Sequence, residues 1–169
     1  MASCKVTPPP LSWESLEKAI QERFPHAKSL SSMELARWLE DSSRNPPVLV
    51  DLRSVEEYEV SHLRGAIRVS PRPQAWRLWR LPKDPGPIVA YDSVGWRSAA
   101  FVEELTRWGV EQAWYLKRGL FGWVNEGGKL VGKDGRPTRK VHPGDSYYGR
   151  LLAPDLRSIP LERLAPPIY

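Results

Sequence analysis

The stretch Tyr91-Asp92-Ser93-Val94-Gly95-Trp96-Arg97-Ser98 joins the apolar run at 87–90 to a segment with helical spacing. Short loops of this kind hold anions in many α/β proteins. Their backbone N–H groups converge on a point, and the following helix adds the positive end of its dipole. Gly95 relaxes the backbone in mid-loop. Arg97 supplies a cation, and the N–H groups from Ser93 to Ser98 can curl around a ligand. A nucleophile is expected at the first position of such a loop. Here that position carries a carboxylate, Asp92. Taken alone, the loop reads first as a strand-to-helix turn that uses Ser and Gly for conformational reasons.

The elements that would position this loop alternate. Residues 11–24 have helical spacing at Leu11, Leu16, Ile20 and Phe24, and 31–41 open with Ser31 and Glu34 in capping-box register. A short buried strand is expected over 47–52. A second capping box, Ser54 and Glu57, opens a helix over 54–63. Strands follow at 65–70, 87–91 and 111–116. A helix over 96–109 offers Ala100, Val102, Leu105 and Trp108 for packing and stops at Gly109. A short helix over 119–128 ends in glycines. Strands alternating with helices predict an α/β fold, a small doubly wound parallel sheet with helices on both faces. Ligands of such sheets bind outside the carboxyl ends of the strands, which is where Asp92 falls.

The chain of 169 residues suffices for one domain with an ordinary core. The expected division is an N-terminal arm and helix (1–27), a central domain (28–132) and an extension packed on it (133–169), which is rich in Pro and Gly. Mean hydropathy is −0.48, and no apolar run approaches the roughly 20 residues needed to cross a bilayer. The start, "MASCKVTPPP", lacks a secretory apolar stretch. A cytoplasmic location without membrane contact is the expectation. One cysteine, Cys4, excludes an intramolecular disulfide framework and a cysteine-rich metal site. No metal and no cofactor are expected. A net charge of +5 suits anionic partners without proving one.

Two linked stretches carry a family resemblance. "VLVDLRSVEEYEVSHLRGAI" resembles the first signature of the rhodanese homology domain at Asp51, Arg53, Glu57, Tyr58, His62, Gly65, Ala66 and Ile67. "PIVAYDSVGWRSAAFVEELTRWGVEQAWYLKRGLFGWVNEG" resembles that family's second half, where a strand leads to a six-residue loop followed by Ser and a helix. The tail "VHPGDSYYGRLL" resembles an extension of some bacterial single-domain members. The resemblance implies a sulfurtransferase fold, and a small anion or sulfur-carrying substrate. Its loop begins with a cysteine that carries a persulfide, the thiolate being a soft nucleophile stabilised by N–H donors. Asp92 aligns with that cysteine, and a carboxylate cannot form a persulfide. Cys4, 88 positions upstream in a proline-rich arm, reads as an exposed incidental cysteine. Two functions stay open: a non-catalytic binding or regulatory module, which would take a protein partner, and a sulfurtransferase whose cysteine is replaced in this chain.

In the first reading Asp92 either supplies the cradle's anion internally, with Arg97 beside it, or points outward and leaves the cradle open. The active-site loop is then Asp92, Ser93, Val94, Gly95, Trp96, Arg97 and Ser98, and Asp51, Arg53 and Arg72 are cleft-associated. Arg53 and Glu57, four apart, are expected to pair at the surface. His62 reads as structural, bonded to backbone near the turn at Gly65. Trp96 either shades the site or packs on the arm, and Trp123 belongs to the core. In 70–83, Arg72, Arg77, Arg80 and Lys83 interleave with Trp76 and Trp79. That pattern suits nucleic acid, but an amphipathic connection with solvated arginines explains it as well. Nucleic acid is not the expected partner.

Overall fold

The computed structural model describes residues 11–69 and 86–165. Helices α1 (Trp13–Arg23), α2 (Ser32–Glu40), α3 (Val55–Val60), α4 (Trp96–Arg107) and α5 (Gly119–Asn125) alternate with strands β1 (Ser29–Leu30), β2 (Val48–Asp51), β3 (Ile67–Arg68), β4 (Ile88–Tyr91) and β5 (Ala113–Leu116). The five strands form one parallel sheet in the order β1-β5-β4-β2-β3. A hairpin of β6 (Leu130–Val131) and β7 (Pro137–Thr138) stands apart.

The central strand shows why the sheet must be covered on both sides. Ile88, Val89, Ala90 and Tyr91 point alternately to opposite faces, yet all four are buried. A continuous apolar run is what a doubly covered parallel strand needs. β4 pairs with β2 in the register Val48↔Ile88 to Asp51↔Tyr91. The carboxyl ends of β2 and β4 therefore lie side by side, and Asp51 and Asp92 project from neighbouring strand ends.

The expected capping boxes are present. Ser31 caps α2 with Glu34, and Ser54 caps α3 with Glu57; in each the hydroxyl accepts the N3 N–H while the glutamate accepts the N-cap N–H. The sheet also holds a strand that local pattern did not predict. β1 has two residues, and only its pairing with Tyr115 and Leu116 of β5 defines it. β3 is likewise shorter than the predicted 65–70, because Gly65 lies at φ 78° in a turn closed by Ala66 N–H donating to the Leu63 carbonyl. Trp108 corrects another expectation. α4 ends at Arg107, Trp108 is its C-cap, and the indole is 52% exposed rather than packed.

Residues beyond 132 contribute to the same core. Val141, Leu152 and Leu156 are buried in it, and Val141 exchanges backbone bonds with Leu156 and Ser158. Asn125 at the end of α5 donates to the Leu151 carbonyl and accepts the Ala153 N–H.

Candidate functional site

The segment 92–98 runs from the end of β4 into the first turn of α4. Gly95 is the N-cap, in the left-handed region at φ 103°, and has no side chain to satisfy the helix's free N–H groups. Asp92 does so from three residues upstream. Its Oδ1 accepts the Gly95 N–H at 3.0 Å, the Ser98 N–H at 3.2 Å and the Ser98 hydroxyl at 2.7 Å. Oδ2 accepts the Arg97 N–H at 3.4 Å and lies 3.6 Å from Arg97 Nε. Asp92 is 1% exposed. Its carboxylate occupies the point on which the loop's donors converge.

The loop's other side is held by backbone. The Asp92 and Ser93 carbonyls accept the N–H groups of Leu120 and Phe121, in the first turn of α5. This approach requires Gly119, since a Cβ there would lie 2.4 Å from the Asp92 carbonyl oxygen. Ser93 and Val94 are buried, and the Ser93 hydroxyl donates to Glu57 Oε1 at 2.9 Å. Trp96 is partly buried and meets Phe24, just after α1, edge-on at 5.4 Å. Arg97 keeps 39% of its side chain exposed at the loop's rim.

Asp51 and Arg53 stand beside this loop but are sealed from solvent. Arg53 Nε and Nη2 bond the two Asp51 oxygens at 3.0 and 2.7 Å, and Nη2 also donates to the Ser61 carbonyl. Burial opposes the guanidinium's charge, but Asp51 outweighs it and raises its pKa above the ordinary value. Arg53 also lies over the Tyr91 ring, whose hydroxyl accepts the Leu63 N–H. Burial, and next the Asp51 charge, push the Tyr91 phenol well above its usual pKa. The predicted surface pair of Arg53 with Glu57 does not form. Arg53 precedes the N-cap of α3, so the four-residue spacing is not a helical one. Glu57 instead spans the Ser54 N–H and Ser93. His62 bonds the Tyr58 carbonyl through Nδ1 and stacks on the Tyr58 ring, a structural place. Trp123 is buried and donates to the Lys129 carbonyl.

Arg72 and the rest of 70–83 lie outside the described residues, as does Cys4. Among the described residues no cluster of His, Cys, Asp and Glu is placed to hold a metal ion, and no helix is long and apolar enough to cross a membrane. An open groove of about 540 Å³ lies at the β6–β7 hairpin, lined by Val60, Lys133, Arg136 and Thr138 among others, and includes no residue of the loop. Glu57 as a loop partner and Gly119 as a point of close approach escaped the sequence reading. The glycine that opens α5, three residues past β5, was the available signal for the second.

A parallel five-stranded sheet with a strand-to-helix loop at the central strand's carboxyl end defines an α/β domain whose candidate site is that loop. The rhodanese-like domain model matches residues 34–126, more than half of the chain, and the chain belongs to that family. It is 30% identical over 91 residues to the uncharacterized protein YibN of Escherichia coli, across 53% of this chain and 64% of that one. The match thus spans less than two thirds of that relative. In structure it is similar to a thiosulfate sulfurtransferase of Pseudomonas aeruginosa, with a TM-score of 0.60 and 22% identity over 82% of this chain and 26% of that one. It is also similar to a rhodanese-related protein of Thermoplasma volcanium, with a TM-score of 0.53 and 20% identity over 62% and 97%. At such identities these likenesses speak for the fold.

Proposed function

We propose that this chain is a rhodanese-like protein without sulfurtransferase activity, and that it works as a binding or regulatory module. Asp92 stands where the resemblance places the persulfide-forming cysteine. The observation that carries the reading is the inward-turned Asp92 carboxylate. It takes the bonds of Gly95, Arg97 and Ser98 that a persulfide or an anionic substrate would otherwise receive. A carboxylate has no sulfur to load, and its charge repels thiosulfate, sulfate or phosphate from the same donors. The loop's shape and the rhodanese-like family match support descent from a site for small sulfur anions.

A thiosulfate:cyanide assay on this chain and on Asp92→Cys tests the proposal. The chain itself is expected to show no turnover above background and no gain of one sulfur in mass. Asp92→Cys is expected to recover detectable transfer, because Gly95, Arg97 and Ser98 are all in place. Turnover by the unaltered chain, through a persulfide on Cys4 for instance, contradicts the reading. A folded but inert Asp92→Cys protein would show that more than the nucleophile has been lost.

A further inference from the structure

Segment 142–149 lies outside the stretch that matches the family, and it is built as a compact excursion from the core. Its base is fixed by Val141, bonded to Leu156 and Ser158, and by buried Leu152. Gly149 packs so closely on Pro143 that a Cβ there would lie 3.0 Å from the proline's carbonyl oxygen. Within the excursion, Asp145 Oδ1 accepts the N–H groups of Tyr147 and Tyr148 at 2.8 and 2.7 Å, and His142 Nδ1 accepts the Gly144 N–H at 3.0 Å. Closed ends and internal bonds are the marks of an Ω-loop, a unit able to move as one piece.

The tip of this excursion rests on the site. Gly144 has φ 73°, and a Cβ on it would lie 3.4 Å from Glu57 Oε1 and 3.8 Å from Ser93 Oγ. The strap's backbone therefore lies on the Glu57–Ser93 hydrogen bond, against the second residue of the 92–98 loop. On the Gly95 side the cover is α1, which also starts before the family match. The Ile20 side chain comes within 3.7 Å of a Cβ built on Gly95, and Glu17 bonds both Lys117 and Arg118 beside the start of α5. Asp92, Ser93 and Val94 are themselves buried, and the two flanking segments meet this loop at Ser93 and at Gly95.

We infer that residues 142–149 are an autoinhibitory cover, which keeps position 92 closed to solutes and opens as a unit to admit them. The inference rests on the 92–98 loop being the site, but not on its lacking activity. Access and chemistry are read by different measurements, so either can fail alone.

The experiment uses Asp92→Cys as a reporter thiol in a Cys4→Ser background, with N-ethylmaleimide as the probe. Asp145→Ala removes the acceptor that holds the strap's turn, and Gly144→Val wedges a side chain between strap and loop; neither touches Asp92. Each is expected to speed alkylation about tenfold or more over the reporter parent, while cooperative thermal unfolding shows that the variant is folded. Equal rates in parent and folded strap variants overturn the inference. Hydrogen exchange on the unaltered chain is a second readout, independent of any variant's folding. The amides of Gly144, Tyr147 and Tyr148 are expected to open together with those of Gly95 and Ser98. Uncorrelated exchange of the two groups overturns the inference as well.

Discussion

The Ser98 hydroxyl donates to Asp92 Oδ1 at 2.7 Å, and the Ser98 N–H donates to the same oxygen at 3.2 Å. One residue in the first turn of α4 thus binds the upstream carboxylate twice, out of contact with water. Hydrogen bonds to a charged group contribute more than neutral ones, about 1.5–3 kcal/mol. Ser98→Ala keeps the N–H bond and loses the other. It is expected to destabilise the chain by about that range, measured as a lower denaturant midpoint at unchanged slope.

The Asp51–Arg53 pair is expected to behave as a buried ion pair. Arg53→Ala leaves the Asp51 carboxylate buried without its partner, at a cost of about 3–5 kcal/mol. Replacing both with apolar residues of similar size is expected to cost less than Arg53→Ala alone. Equilibrium unfolding of the two variants makes the comparison, and equal losses would mean that the unpaired Asp51 charge is not what Arg53→Ala costs.

Gly119→Ala tests the contact between the loop and α5. The added Cβ would fall 2.4 Å from the Asp92 carbonyl oxygen, and the residue sits at φ 55°. Neither backbone can yield without breaking the bonds to Leu120 and Phe121. A loss of at least about 1–3 kcal/mol is expected, with changed amide shifts at Ser93 and Val94. Gly127→Ala, also at positive φ but with open space around it, is expected to cost less.

The strand ends and helix starts around this loop were legible because each has a local cause. The 87–91 strand reads as a continuous apolar run, and Ser54 with Glu57 announces α3. Relationships between distant residues were less so. β1 is two residues whose strand character comes only from its neighbour. Arg53 and Glu57 are four apart in sequence, but the helix begins after Arg53, so the two side chains turn to different partners. The family motif placed Asp92 at the head of the loop. The inward turn of its carboxylate and the Gly144 contact depend on tertiary structure, which no spacing encodes.

The latch between α1 and the end of β5 is expected to be sensitive to acid. Burial tends to raise the Glu17 pKa, but bonds to Arg118 and Lys117 outweigh it and hold the carboxyl below its ordinary value. Its folded pKa is therefore lower than its unfolded one. Its contribution is fully present above the unfolded value and is lost as pH falls through the folded value. Glu17→Gln is expected to cost up to about 1 kcal/mol at neutral pH, with the difference closing below the ordinary carboxylate range. Unfolding curves at pH 7 and in acid check it, and a difference that persists in acid would point to packing rather than charge.

The occupancy of the cradle by Asp92 is tested most directly by sulfate. Thermal midpoints of the unaltered chain and of Asp92→Ala are compared at neutral pH, with and without sulfate at matched ionic strength. Without sulfate, Asp92→Ala is expected to melt lower, since Gly95, Arg97 and Ser98 lose their acceptor. With sulfate its midpoint is expected to rise more than that of the unaltered chain. Binding to the folded state stabilises by about 2.7 kcal/mol at a concentration of 100 times Kd, and the general salt effect on burial is common to both proteins. Equal sulfate shifts in the two proteins would contradict the account, because the donors would then not be waiting for the anion that Asp92 provides.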